Sequence, residues 1–110
     1  TETKKICDMA NTYDCAVQVH VCGSPISKAA ALQIEAVVPN VIIHEHHQRA
    51  LDPVGRATCV ADYQPEQGYM RIPDGPGIGQ EPTPEILAQC RMETVSRERK
   101  YFYSFEAEQK

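Results

Sequence analysis

The chain has 110 residues, with 42% hydrophobic and 24% charged residues and a net charge of -4. That length suits one small domain, and the interspersed acids and bases leave no basic stripe for phosphates or a membrane surface. No apolar run reaches the roughly 20 residues of a membrane span, and no signal-peptide pattern opens the chain. Nucleic-acid and membrane partners are therefore not expected.

The elements follow in chain order. In TETKKICDMANTY, residues 1–13, Ile6, Met9, Ala10 and Tyr13 recur on one helical face, with Thr1 available as a cap. AVQVHV, residues 16–21, alternates as a strand, with Val17, Val19 and Val21 on one side and Ala16, Gln18 and His20 on the other. Cys22-Gly23-Ser24-Pro25 then turns the chain into a helix. Ser24 is placed to cap it, Pro25 occupies its first position, and Ser27 is an alternative cap a turn later. An alanine-rich run, KAAALQIEAVV, continues until Pro39-Asn40 stops it. Val41 to Glu45 reads as a second strand, with Val41, Ile43 and Glu45 on one face and Ile42 and His44 on the other. Two strands separated by a helix of this length predict parallel pairing through a right-handed crossover.

Past residue 50, proline and glycine become frequent, which marks an irregular tail laid over a scaffold. A short strand is expected over Tyr69–Ile72, and a short helix from Thr83-Pro84 to about Cys90. The final SRERKYFYSFEAEQK mixes charges and aromatics without a period, and residues 93–110 receive no assignment. Gly75-Pro76-Gly77-Ile78-Gly79 resembles a phosphate loop only on the surface. It lacks the strand-to-helix setting, and Pro76 removes one N–H donor, so it reads as a structural turn. The five cysteines are odd in number and form no CxxC pair, as expected of reduced thiols in a cytoplasmic protein.

Chemistry concentrates in His20 and at VIIHEHH, residues 41–47. His20 and Glu45 each close a strand at its C-terminal end, where parallel α/β folds collect their functional groups. A histidine and a carboxylate projecting from neighbouring strands make an acid/base pair; the alternative is a satisfied, partly buried histidine beside a solvated strand end. His44, His46 and His47 also invite a metal reading, completed by Cys22 or Cys59. The usual His-x-x-x-His and Cys-x-x-Cys spacings are absent, and HEHH is not the HExxH helix motif.

The stretch VQVHVCGSPISKAAALQIEAVVPNVIIHEHH resembles the seventh and eighth barrel strands of the mandelate racemase branch of the enolase superfamily. There, a strand ends in histidine, a small-residue turn with glycine and proline leads into an alanine-rich helix, and after Pro-Asn a strand ends in glutamate. GYMRIPDGPGIGQEPTPEIL resembles the family's C-terminal segment, and the opening helix resembles the one after the sixth strand. The similarity runs from residue 1 to about 92 and is greatest to the sugar-acid dehydratases.

The resemblance implies an α/β fold, the C-terminal portion of a TIM-type barrel: residues 1–50 as the last β/α units, and 51–110 as a tail packing back on the barrel and capping domain. It implies a Mg²⁺-dependent hydro-lyase acting on a sugar acid, in which α-proton abstraction and loss of the β-hydroxyl as water give a 2-keto-3-deoxy acid. His20 would be the general acid or base, and Glu45 would contact the substrate carboxylate. The magnesium ligands, and the carboxylate that pairs with the histidine, would lie on strands outside this chain. A full barrel needs about 250 residues. The chain is therefore expected to be part of a larger enzyme, inactive alone, and partnered by the missing N-terminal part or by copies of itself. A racemase or cycloisomerase of the same superfamily, or a non-enzymatic His/Cys metal module, are the alternatives.

Overall fold

The computed structural model describes residues 2–91, 93 and 94. The Thr1 cap and the 96–110 stretch lie outside the described residues. Four α-helices follow in order: α1 (Glu2–Thr12), α2 (Pro25–Glu35), α3 (Pro53–Arg56) and α4 (Pro84–Gln89), with a 3-10 turn at Gln48–Leu51 between α2 and α3.

Three of the helices start the same way, with a residue of extended backbone followed by proline. Pro25, Pro53 and Pro84 take positions whose N–H would have no helical partner anyway. Asp52 accepts hydrogen bonds from the N–H groups of Val54 and Gly55, and Thr83 accepts one from Ile86. Ser24 stands at the predicted cap of α2, but its side chain makes no capping bond.

α2 ends at Glu35, several residues before Pro39. Val38 must leave the helical region because it precedes proline, and the chain loosens into a turn through Ala36 and Val37 before Val38 is buried. Asn40 then knots three segments together, its amide nitrogen donating to the carbonyls of Cys7 (3.2 Å) and Cys15 (2.8 Å).

The two expected strands are reduced to one isolated parallel bridge between Val17 and Val41. It is closed by Val17 N–H to Asn40 O (2.9 Å) and Ile42 N–H to Val17 O (3.1 Å). Their direction is as predicted, but no ladder extends from the bridge. Each segment pairs on one side only among the described residues, and a two-stranded pairing is marginal by itself. The alternation also fails after Val41. Ile42 and Ile43 are both exposed, at 70% and 60%, where a regular strand would hide one of them.

The core is small. It gathers on α2 and its flanks: Val21, Ala29, Ala31, Leu32 and Val38, with Cys7 and Cys59 at its margins. The apolar face of α1 takes little part in it: Ile6, Met9 and Tyr13 are 66%, 67% and 75% exposed, while Cys7 is buried.

The tail is more ordered than its composition suggests. Cys59 bridges antiparallel to Pro82, with Val60 N–H bonded to Glu81 O and Thr83 N–H to Thr58 O, both at 3.0 Å. The Gln80 side chain continues that pairing, accepting from Ala61 N–H and donating to Ala61 O. The expected strand at Tyr69–Ile72 is absent. Glu66 and Tyr69 instead close a tight turn on each other, with Gln67 and Gly68 both at positive φ, the primed turn geometry.

The glycine-rich turn closes at Gly79, which has φ +73°. A Cβ there would come within 2.5 Å of the Pro73 Cβ. Gly79→Ala therefore combines a left-handed backbone with a steric clash, and is expected to cost about 1–3 kcal/mol, read as a lowered urea midpoint. The same turn is tied to the scaffold by Tyr63 Oη–H to Gly79 O (2.7 Å) and by Gln33 Nε2–H to Pro73 O (2.7 Å).

Candidate active site

His20 ends the first segment on the face opposite Val19 and Val21, and its side chain is 73% exposed. Glu45 reaches it from the second segment. The His20 Nδ1 lies 2.9 Å from Glu45 Oε2, while Glu45 itself is only 27% exposed. Against an ionised Glu45, which only accepts, His20 would donate from Nδ1 and keep its lone pair on Nε2. The residues picked out at the two strand ends are thus brought together, 25 positions apart in sequence. Glu45 was expected to meet a substrate carboxylate, and the partner of His20 to lie on another strand. In this chain, which spans none of those other strands, Glu45 is the residue within hydrogen-bond reach of His20.

The remaining histidines of VIIHEHH separate in space. His47 stands edge-on to His20, ring centroids 6.3 Å apart, and its Nδ1 accepts from Arg49 N–H. His44 turns the other way and binds Glu35 of α2, Nδ1 to Oε2 at 2.7 Å, in a pocket where the two side chains are 10% and 6% exposed. His46 meets Gln64 of the tail, Nε2 to Oε1 at 3.1 Å. Among the described residues no three His, Cys, Asp or Glu side chains gather as a metal site. Cys7 and Cys59 are buried, and Cys15, Cys22 and Cys90 are exposed free thiols.

Glu45 and His47 form part of the wall of a cavity of about 570 Å³, bounded by the turn into α2, the 3-10 turn and α3. That lies within the usual span of small-molecule pockets, about 300–1,000 Å³. Three cationic residues line it: Lys28, Arg49 and Arg56. Two carboxylates, Glu45 and Asp52, stand among them. Arg56 grips Asp62 through Nε at 2.7 Å and again through a terminal nitrogen. Burial raises the Asp62 carboxyl, but the hydrogen bonds from Arg56 and Gln64 outweigh it and hold Asp62 below its ordinary range. Lys28 is buried, donating to Tyr63 O at 2.6 Å. Burial pulls its ammonium below the usual lysine value, and Asp62 offsets part of that pull.

The magnesium implied by the resemblance does not fit the carboxylates present. Glu45 is engaged by His20, and Asp52, the cavity's other carboxylate, turns its two oxygens to the N–H groups of Val54 and Gly55.

The charged form of His46 is disfavoured. Burial pulls its value below 6.5, and the nearby Lys28 charge adds to this. A histidine depressed in the folded state gives stability that is full above its unfolded value and lost as pH falls through the folded one. The urea midpoint is therefore expected to drop on acidification below about pH 6.5. His46→Gln should flatten part of that slope; an unchanged slope would remove His46 as its source.

Sequence reasoning missed the Glu35–His44 pair, because a glutamate late in α2 and a histidine nine residues on carry no motif. It also missed the burial of Lys28. The cap at Asp52-Pro53 had a readable signal, the same residue-then-proline start seen at Thr83-Pro84.

Comparison with known proteins gives a family, two curated relatives and a solved structure. Residues 1–86 match the family described as enolase C-terminal domain-like. The chain is 35% identical over 82 residues to the D-xylonate dehydratase of Haloferax volcanii, covering 71% of this chain and 19% of that protein. It is 36% identical over 84 residues to the D-galactonate dehydratase of Ralstonia nicotianae, covering 72% of this chain and 22% of that protein. The crystal structure of a member of the enolase superfamily from Salmonella Typhimurium superposes with a TM-score of 0.76 at 50% identity, over 79% of this chain and 22% of that one. The chain thus spans about a fifth of the length of the curated relatives it matches.

Proposed function

This chain belongs to the enolase C-terminal domain-like family, and from that premise we propose that it is the His/Glu-bearing part of a sugar-acid dehydratase. The observation that carries the reading is the 2.9 Å contact between His20 and Glu45. It supports a histidine with one nitrogen fixed and the other presented for proton transfer. In the proposed reaction the α-proton of a sugar acid is removed and the β-hydroxyl departs as water, leaving a 2-keto-3-deoxy acid. The proton lost from carbon equals the one the hydroxyl needs, so an imidazole that takes it and returns it ends unchanged.

His20 works at Nε2. While it carries the extra proton it is an imidazolium, and the adjoining Glu45 carboxylate lowers the cost of that charge. In the neighbouring cavity Lys28, Arg49 and Arg56 outnumber Glu45 and Asp52, a balance suited to the acid's carboxylate. The remaining parts of the proposal are positional. Residues 1–50 would be the last units of a β/α barrel, with the parallel Val17–Val41 bridge as their surviving contact. Residues 51–110 would be a tail folded back over it. Magnesium, if the whole enzyme uses it, would be held by residues outside this chain.

The test is a transplant. Residues 1–86 replace the matching segment of the Ralstonia nicotianae D-galactonate dehydratase, and 2-keto acid formation from D-galactonate is followed. The chimera is expected to turn over, and the 110-residue chain alone is expected not to. A folded chimera without 2-keto acid overturns the reading; an epimerised or cyclised product in its place would favour a racemase or a cycloisomerase.

A further inference from the structure

Most of the charged side chains around the 570 Å³ cavity are already engaged within the chain. Lys28 donates to Tyr63 O, Arg56 is bonded to Asp62, Asp52 caps α3, and Glu45 lies against His20. Arg49 differs. It lines the same cavity and is exposed, and its guanidinium has no hydrogen-bond or ion-pair partner among the described residues.

A second unengaged donor stands beside it. His47 caps the 3-10 turn, its Nδ1 accepting from the Arg49 N–H at 3.2 Å. A backbone N–H can only donate, so this ring carries its hydrogen on Nε2. His47 Nε2 has no partner among the described residues, and it is not one of the buried unpartnered nitrogens, which belong to His44 and His46. The bond to the Arg49 backbone also fixes the ring relative to the residue that bears the free guanidinium.

His47 meets the His20 ring edge-on, centroids 6.3 Å apart, while His20 itself is not part of the cavity wall. In the proposed reaction the carboxylate next to the reacting carbon stays beside His20, because a single bond joins it to the carbon whose proton His20 handles. The carboxylate that suits the cavity is then a different one, farther along the sugar chain and past His47.

We infer that Arg49 and His47 recognise a second carboxylate at the far end of the sugar acid, so that the substrate class is the sugar diacids. Arg49 supplies a forked, charge-assisted contact and His47 a single Nε2–H donor.

The inference rests on the sugar-acid reading, but its test needs no turnover. The probe is galactarate, which carries a carboxylate where galactonate has a terminal hydroxymethyl. In the full ¹⁵N-labelled chain, galactarate is expected to shift the Arg49 Nε–H and His47 ring signals saturably, and neutral galactitol is expected not to. No galactarate shift at Arg49, or an equal one with galactitol, overturns the inference. Which end of the substrate is bound is read by calorimetry on the folded chimera carrying His20→Asn, with Mg²⁺ present. Adding Arg49→Met is expected to weaken galactarate by about tenfold and galactonate by less than about twofold. Equal losses for the two acids, or none for galactarate, overturn it. Should Arg49→Met unfold the chimera, Arg49→Gln is read on the same criteria. Arg49-dependent galactarate binding beside a chimera that makes no 2-keto acid would count against the dehydratase reading alone.

Discussion

His20→Asn in the transplanted chimera is expected to cut 2-keto acid formation by about 10²–10⁴-fold, the usual worth of a positioned general acid or base. Asparagine keeps the polarity and most of the volume of the side chain but cannot exchange a proton near neutral pH. Its amide still donates to Glu45, so the carboxylate is not left unpaired and the loss can be assigned to proton transfer. His20 is 73% exposed, so the substitution should leave the urea midpoint within about 0.5 kcal/mol of the parent. A drop in rate with no drop in stability is the expected signature. A chimera that keeps its rate with asparagine would remove His20 from the mechanism.

The largest expected effect on stability is at the other side of α2. Leu32 is 1% exposed and is the largest fully buried side chain of the chain's described residues. Leu32→Ala is expected to destabilise by about 2–5 kcal/mol, combining lost transfer energy with the cavity left behind. Alanine neighbours sharpen the effect: Ala29 and Ala31, both buried, have no side-chain length with which to fill the space. A small domain has only a few kcal/mol in hand. The variant should therefore lose most of its cooperative unfolding transition. Ile6→Ala is the matched control. Ile6 is 66% exposed, and its loss should change the midpoint by under about 0.5 kcal/mol. Equal effects at the two positions would mean that α1 is covered in solution.

The reach of the sequence can be judged at individual residues. Thr83-Pro84 was readable as a helix start because capping is local: hydroxyl, proline and the N–H of Ile86 lie within four residues. That His20 and Glu45 lie close was readable because each closes a segment that reads as a strand, although the resemblance implies a different counterpart for each. The strands themselves were overestimated. Alternation reports which way side chains point, but a ladder needs neighbours on both sides, and Val17–Val41 is the only parallel contact among the described residues. α2 stops at Glu35, short of the Pro39 that the sequence offers as its stop, and the proline already bars the helical region at Val38. The buried Glu35–His44 contact was out of reach, since it depends on how α2 packs rather than on any spacing within it. Likewise, the apolar spacing of Ile6, Met9 and Tyr13 predicts a face and says nothing of whether the chain supplies its cover.

α2 also sets what kind of change this region can absorb over generations. Glu35 at its last turn must meet His44, and Lys28 near its first turn must meet Tyr63. One residue added between them would rotate the later contact by about 100° relative to the earlier one. The helix can therefore accept new letters far more readily than a new length. The glycine-rich turn at 75–79 is under the opposite rule, because a letter changed at Gly79 meets Pro73 directly. Alignments of this region should be trusted by their gaps as much as by their matches: the interval from His20 to Glu45 is the quantity the architecture transmits.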